Sequence, residues 1–111
     1  MTERNYLGEL ELMILLTVID LGEEAYGVPI SREIGRHLGR DVSLGSVYAA
    51  LERLAAKGLI ASRLGDPTPE RGGKARRYFR VTKTGLKQVQ ETRRVLQRMW
   101  RSLPELRGER T

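Results

Sequence analysis

The chain has no cysteine, one histidine, few aromatic residues and no long apolar run, and each scarcity excludes a class of protein. Without cysteine, neither a disulfide framework nor a thiolate metal site can form. The longest apolar run, residues 12–16, is far shorter than the roughly 20 residues of a membrane span. The 111 residues therefore predict one domain with a modest aliphatic core, in a cytoplasmic protein without a membrane segment.

Groups for catalysis and metal binding are equally scarce. His37 lies beside the apolar stripe of a short helix and is predicted to be a surface residue, since no second histidine could complete a metal site. The stretch RGGKA, residues 71–75, has Ala75 where a phosphate loop needs Ser or Thr after the lysine. We therefore predict no enzyme activity, no cofactor and no metal.

Charge is unevenly distributed along the chain. Residues 1–60 hold six Lys/Arg against nine Asp/Glu, a net charge of −3, whereas residues 61–111 hold fourteen against five, a net charge of +9. Segregated positive charge with a pI near 10.2 is typical of a surface that binds polyanions. Nucleic acid is therefore the predicted partner, with an anionic membrane surface as the rival.

The apolar spacing predicts three helices, a β-hairpin and a fourth helix. The helical segments are residues 7–22, 25–39, 43–60, in which Gly58 stops the third helix, and 82–103. The strands cover residues 60–64 and 77–81. This mainly α order with a small β-hairpin is that of a winged helix-turn-helix, whose third helix enters the major groove beside the wing. We predict a DNA-binding domain over 1–82, a C-terminal dimerisation helix over 83–104 and a polar tail over 105–111.

The start of the third helix is small and uncharged, which suits close approach to another surface. Ser43 is the expected N-cap, and no charged residue follows it before Glu52. Packing of Tyr48 on a neighbouring element is the alternative to a DNA contact. The predicted DNA contacts at the start of the third helix are Ser43, Gly45, Ser46, Tyr48 and Ala49. Arg32, on the outer face of the second helix, is a further predicted DNA contact.

The segment RGGKARRYFRVT, residues 71–82, combines five cations with an adjacent tyrosine and phenylalanine. On a strand, Phe79 shares a face with Val81 while Tyr78 lies on the other face. We expect the aromatic residues to anchor the base of the hairpin on the core and the cations to lie towards its tip. The predicted phosphate or minor-groove contacts are Lys74, Arg76 and Arg77.

Two helices carry more apolar surface than one small domain can cover. The first is apolar around nearly its whole circumference, and the last has a heptad seam over residues 86–103 that is interrupted by Arg93. Pairing of two chains about a two-fold axis would cover both surfaces. The predicted homodimer contacts are Leu10, Ile14, Leu86, Val89, Leu96, Trp100 and Leu103.

Two stretches, GSVYAALERLAAKGLI (45–60) and GGKARRYFRVTKTGLK (72–87), resemble the PadR family of bacterial transcriptional regulators. The opening LGELELMILLTVIDLGEEAYGVPISREI is similar to the first two helices of that family, including the Tyr26-Gly27 pair, so the resemblance covers about residues 5–103. It implies a dimeric repressor that binds a palindromic operator in double-stranded DNA. Tyr48 matches the recognition helix, and the cations of residues 74–77 match the basic wing.

The single C-terminal helix is similar to that of the shorter subgroup of the family. Some members of that subgroup accept flat aromatic compounds at the dimer interface, against a tryptophan of the last helix, and Trp100 occupies a comparable place. The resemblance therefore implies a small aromatic effector bound by Trp100, Met99 and Arg93. Simple packing at the interface is the alternative for Trp100.

Two other functions remain open on the sequence alone. A winged helix can serve as a protein-interaction module, which would not bind duplex DNA with a steep salt dependence. A nonspecific architectural protein would bind DNA without sequence preference. The uncharged start of the third helix favours base recognition over binding by charge alone.

Overall fold

The computed structural model describes residues 7–67, 72 and 75–106, which form four α-helices and one β-hairpin. The helices are α1, Glu9–Leu21; α2, Gly27–Leu38; α3, Leu44–Ala56; and α4, Lys83–Arg101. The strands are β1, Ile60–Leu64, and β2, Arg77–Val81, and short 3₁₀ turns cover Gly22–Glu24 and Pro104–Leu106. This architecture confirms the predicted fold. Across the described residues, the helices are too short or too polar for any of them to cross a bilayer.

The first three helices pack against one another and enclose the core. Their fully buried side chains recur at helical spacing, as Ile30 and Ile34 on α2 and Leu51 and Leu54 on α3 do. Burial of each such side chain is favourable by roughly 1.5–3 kcal/mol, so these contacts dominate the stability of the domain. The remaining large side chains with no exposed surface, or almost none, are Ile14, Leu15, Val18 and Val47.

Helix α3 ends at Ala56, two residues before Gly58, the glycine that was predicted to stop it. Gly58 has a φ of 76°, a left-handed conformation that glycine adopts without steric cost. The chain turns at this glycine and enters β1 at Ile60. Leu59 and Ile60, the apolar residues that follow this glycine, therefore belong to a turn and to β1.

The two strands have the predicted bounds and pair antiparallel. Ile60 lies opposite Val81, and Ser62 lies opposite Phe79. Because alternate side chains of a strand face opposite sides, Phe79 is buried in the core while Arg80 is exposed. The hairpin thus rests on the helices through one face.

A short extended segment before α2 pairs with the hairpin. The backbone N–H of Phe79 donates to the carbonyl of Ala25 at 2.8 Å, and Tyr26 forms a bridge with Tyr78. This contact joins residues more than fifty positions apart, and no local pattern in the sequence indicates it. It holds the base of the wing against the start of α2.

Helix α4 starts against the end of the hairpin and then leaves the core. The hydroxyl of Thr82 accepts a hydrogen bond from the N–H of Gly85 at 3.0 Å and donates to the carbonyl of Gly58 at 2.8 Å. Beyond Val89, the side chains of α4 are half-buried or exposed. The predicted polar tail starts within the second 3₁₀ turn, and its residues 107–111 lie outside the described part of the chain.

A buried carboxylate ties α1 to the end of α3. Glu11 has 7% of its side chain exposed and accepts hydrogen bonds from the N–H of Gly8 at 2.9 Å, Nε of Arg53 at 3.1 Å and Nζ of Lys57 at 3.1 Å. Burial by itself raises the pKa of Glu11. The hydrogen bonds from Gly8, Lys57 and Arg53 outweigh that effect, so the pKa lies below its ordinary value of 4.5.

We expect Glu11→Gln to destabilise the protein by about 2 kcal/mol near pH 7, because two cations lose their carboxylate partner. A carboxylate with a lowered pKa stabilises the fold above its unfolded pKa, and this stabilisation is lost as the pH falls through the folded pKa. The deficit of the variant should therefore shrink between about pH 5 and pH 3. Urea denaturation at about pH 5 and about pH 3 measures the difference in unfolding free energy between the variant and wild type. Glu9→Gln, at an exposed position, is the control. A deficit independent of pH would contradict this role of Glu11.

Candidate nucleic-acid interface

The start of α3 is exposed and ordered by its own serines. The Ser43 Oγ accepts a hydrogen bond from the backbone N–H of Ser46 at 2.9 Å, which confirms Ser43 as the N-cap. The same hydroxyl donates to Oγ of Ser46 at 3.1 Å. The structure brings the predicted contacts of this helix together on an exposed surface: Ser43, Gly45, Ser46, Tyr48 and Ala49. That they contact DNA stays a prediction.

Tyr48 packs on α2 and is also exposed. A side chain at Gly27 would collide with the phenol of Tyr48, so the absence of a Cβ at Gly27 makes room for the ring. Tyr48 nevertheless keeps 37% of its surface exposed. Packing on a neighbouring helix and contact with DNA are therefore compatible roles for this tyrosine, because one side of the ring rests on α2 while the rest remains accessible.

Arginines line a groove between α2 and the start of α3, which we call the arginine groove. Its cations are Arg32, Arg36 and Arg40, its volume is about 630 Å³, and Leu44 of α3 forms part of its wall. Arg32 was among the predicted DNA contacts, whereas Arg36 and Arg40 were not. Their spacing of four residues, which places side chains on one helix face, is the signal that could have found Arg36.

The turn between α2 and α3 is held by a side-chain hydrogen bond. The hydroxyl of Ser31 donates to the carbonyl of Val42 at 2.7 Å. This contact spans eleven residues and closes the turn of the helix-turn-helix. It fixes the position of the N-cap of α3 relative to the arginine groove.

Two arginines flank a pair of tyrosines where the hairpin meets the start of α2. The guanidinium of Arg76 lies 4.0 Å from the ring centre of Tyr26, and that of Arg63 lies 4.6 Å from the ring centre of Tyr78. The two tyrosines meet edge to face at 5.6 Å. Stacking of this kind orients a guanidinium and leaves its edge free for an anion. Lys74, the third predicted wing cation, lies outside the described residues.

The Nε of Arg76 is buried and has no hydrogen-bond partner within the part of the chain that the structure describes. Arg76 and Tyr78 were predicted to belong to the wing, whereas Arg63 was not among the predicted contacts. Arg63 pairs with Tyr78 across the hairpin, so the strand register would have placed the two side chains on the same face.

Arg77 is connected to α3. Its Nη1 donates to Glu52 at 2.8 Å and its Nε donates to Ser62 at 3.1 Å. The guanidinium also lies 5.0 Å from the ring centre of Phe79. The wing and α3 are thus joined by an ion pair at their exposed edge.

A second surface runs along α1 and α4, where an apolar groove of about 300 Å³ opens between the two helices. We call it the α1–α4 groove. Trp100 and Leu96 line it from α4, with 53% and 41% of their surface exposed. Leu86 and Leu103, further along the predicted seam, are 42% and 46% exposed. Val89, by contrast, is buried within its own chain.

The contribution of α1 to this surface differs from the prediction. Ile14 was predicted as a dimer contact, but it has no exposed surface because it fills the core between the helices of its own chain. Leu10 is half-buried against the same core. The apolar side chains that α1 leaves exposed are Leu16 and Ile19, at 50% and 45%.

Two of the three predicted effector residues meet in the α1–α4 groove. Arg93 and Trp100 both line it, whereas Met99 is 60% exposed and does not.

His37 lies 3.2 Å from Glu33 at the exposed end of α2. Among the residues that the structure describes, no three His, Asp or Glu side chains are grouped as a metal site would require.

Comparisons with known proteins agree with this geometry. Residues 15–91 match the model of the transcriptional regulator PadR-like family. A curated relative from Mycobacterium tuberculosis, described as "Transcriptional regulator Rv3488", is 38% identical over 82 residues, which cover 72% of this chain and 70% of the relative.

Solved structures share the fold. A PadR-like transcriptional regulator from Bacillus cereus is 31% identical with a TM-score of 0.69, over 90% of this chain and 93% of that one. A PadR family regulator from Clostridium difficile has a TM-score of 0.71 over 91% of this chain and 100% of that one, and at 21% identity it supports the fold alone. The family match and the curated relative together establish that this chain belongs to the PadR-like family of transcriptional regulators.

Proposed function

We propose that this chain is a homodimeric, sequence-specific repressor that binds a palindromic operator with α3 and the basic wing. PadR-like proteins are DNA-binding transcriptional regulators and not enzymes. Beyond this family role, we propose that the chain pairs with a second copy, that it represses transcription, and that it acts in the cytoplasm. The observation that carries it is the exposed, uncharged start of α3, which borders the arginine groove at Leu44 and joins the wing at Glu52.

The proposed DNA contacts divide by chemistry. Small and aromatic side chains at the start of α3 approach base edges in the major groove, where hydrogen bonds and apolar contacts discriminate bases. Cations flanking that helix contact phosphates, which position the protein without reading sequence. The proposed base contacts are Ser43, Gly45, Ser46, Tyr48 and Ala49, and the proposed phosphate contacts are Arg32, Lys74, Arg76 and Arg77.

The proposed dimer rests on the exposed apolar surface of α1 and α4. Residues 1–82 bind DNA in this arrangement, and residues 83–104 hold the two chains together through Leu86, Leu96, Trp100 and Leu103. Two-fold pairing would set two copies of α3 about 34–36 Å apart, one turn of the duplex. The operator would then be a palindrome whose half-sites are separated by that distance.

Selection of bound DNA from a random duplex pool tests this function. A palindromic consensus with half-sites about one helical turn apart is the expected result. Enrichment without any consensus would favour the nonspecific architectural protein. Failure to bind duplex at all would favour a protein-interaction module.

We expect Tyr48→Ala to weaken binding to the selected operator by about 10- to 100-fold, the usual size of a base-specific loss, and to leave nonspecific binding almost unchanged. Anisotropy titrations on operator and random duplexes measure both affinities. Tyr48→Phe keeps the ring on Gly27 and separates packing from the role of the hydroxyl. If Tyr48→Ala loses its cooperative thermal transition, packing on α2 is the main role of this residue.

A second candidate function is effector binding in the α1–α4 groove. Its volume of about 300 Å³ is at the lower end of small-molecule pockets, and Trp100 offers a flat aromatic wall. Arg93 also lines the groove, so the matching ligand is a neutral or anionic aromatic compound rather than a cation. Trp100 is the only tryptophan of the chain, so its fluorescence reports the site directly. Saturable quenching coupled to DNA release is expected; no quenching across a broad panel would leave Trp100 as interface packing.

A further inference from the structure

Glu52 is the single acidic residue of α3 and lies one helical turn after Tyr48, on the same face. Its carboxylate accepts a hydrogen bond from Arg77 of the wing at 2.8 Å. The Nε of the same guanidinium donates a hydrogen bond to the hydroxyl of Ser62 at 3.1 Å. One cation of the proposed DNA surface is therefore already neutralised by a carboxylate of the proposed reading helix.

Stability of the fold gives little reason for this ion pair. The side chains of Arg77 and Glu52 are 38% and 60% exposed. Ion pairs at such exposure contribute little to the stability of a folded protein. A neutral glutamine could hold Arg77 by a similar hydrogen bond, whereas a carboxylate on this surface repels any phosphate backbone that approaches it. The negative charge itself therefore needs an explanation beyond packing.

We infer that Glu52 is an internal competitor for the DNA phosphate that Arg77 would otherwise contact. The inference rests on the proposed function as a DNA-binding regulator. The carboxylate occupies one edge of the guanidinium in the free protein, and a phosphate has to displace it. Glu52 thereby weakens binding to duplexes irrespective of sequence, which lowers the background against which an operator is recognised.

The size of the effect follows from counterion release. Each neutralised phosphate contributes a slope of about −0.9 to log K against log salt on B-DNA. Glu52→Gln removes the charge and keeps the size and one oxygen acceptor. This variant should bind a random duplex about 5- to 10-fold more tightly at low salt, with a slope steeper by about one unit.

A double-mutant cycle tests whether the effect passes through Arg77. Wild type, Glu52→Gln, Arg77→Gln and the double variant are titrated on a labelled random duplex across a KCl series, with fluorescence anisotropy as the signal. Glu91→Gln is the matched control, since Glu91 pairs with Arg94 on α4 at similar exposure, 59% and 62%. Circular dichroism and thermal melts establish that each variant is folded.

The expected result is tighter binding by Glu52→Gln that disappears in the Arg77→Gln background, with Glu91→Gln within about 2-fold of wild type. Tightening that persists without Arg77 would assign the effect to general charge and overturn the inference. Equal or weaker binding by Glu52→Gln would overturn it as well. Wild-type protein that binds no duplex would overturn the proposed function itself, and the inference with it.

Discussion

A Leu96→Glu variant is expected to be monomeric and to lose at least about 100-fold in affinity for the operator, because two half-sites then bind independently. Leu96 lines the α1–α4 groove and is 41% exposed, so a glutamate there would carry charge into the proposed interface without opening the protein core. An unpaired carboxylate buried between two chains would ionise only at a large cost in free energy. The helical content should be unchanged, since α4 is otherwise intact.

Sedimentation equilibrium and anisotropy titrations measure the two effects together. Gln90→Glu is the matched control, because Gln90 lies on the same helix, on the exposed face with Lys87 and Glu91. It introduces the same charge outside the groove and should remain dimeric. A Leu96→Glu protein that sediments as a dimer and binds the operator normally would exclude the α1–α4 surface as the interface.

The largest expected loss of stability comes from Gly85→Ala in the first turn of α4. A Cβ at this position would overlap the carbonyl oxygen of Leu59 and lie 2.7 Å from Cγ1 of Val81. The Leu59 carbonyl accepts the N–H of Thr82 at 3.0 Å, so it cannot move away without breaking the junction between hairpin and helix. We expect a destabilisation of about 3 kcal/mol, the upper part of the range for overpacked sites.

Gly45→Ala in α3 is the control for that substitution. A Cβ at Gly45 would meet only Oγ of Ser43, at 3.7 Å, which is ordinary contact. Alanine exceeds glycine in helix propensity by about 1 kcal/mol, so this variant should be slightly more stable than wild type. Denaturant unfolding at neutral pH distinguishes the two. Similar stability of Gly85→Ala and wild type would mean that α4 can shift away from the hairpin.

The order and bounds of the elements follow closely from local patterns in the sequence. Both strands were predicted with their observed bounds, and the predicted heptad residues from Leu86 to Trp100 lie on one helix, α4. Leu103, the last of them, lies beyond the end of that helix. Such patterns depend on the period of each element, which is a property of neighbouring residues. The predicted stop of the third helix at Gly58 agrees with the structure, where this glycine has a φ of 76° two residues after the end of α3.

The candidate site was predicted less completely than the fold. The exposed start of α3 could be read from its composition, because small residues without charge suit a close contact. The missed arginines, Arg36, Arg40 and Arg63, are ordinary surface residues in the sequence. Their grouping depends on how α2 and the hairpin dock beside α3, which residue spacing within one element does not specify.

The sequence by itself determined the helices, the hairpin, the absence of thiol chemistry and the positive charge of the second half. The tertiary structure alone decided which sides of an all-apolar α1 are covered, so that Ile14 is buried while Leu16 is exposed. It also decided that Arg77 pairs with Glu52, twenty-five residues away. The physical reason is the same in both cases: side-chain periodicity is set by the local backbone, whereas burial and ion pairing are set by the surfaces that distant elements bring together.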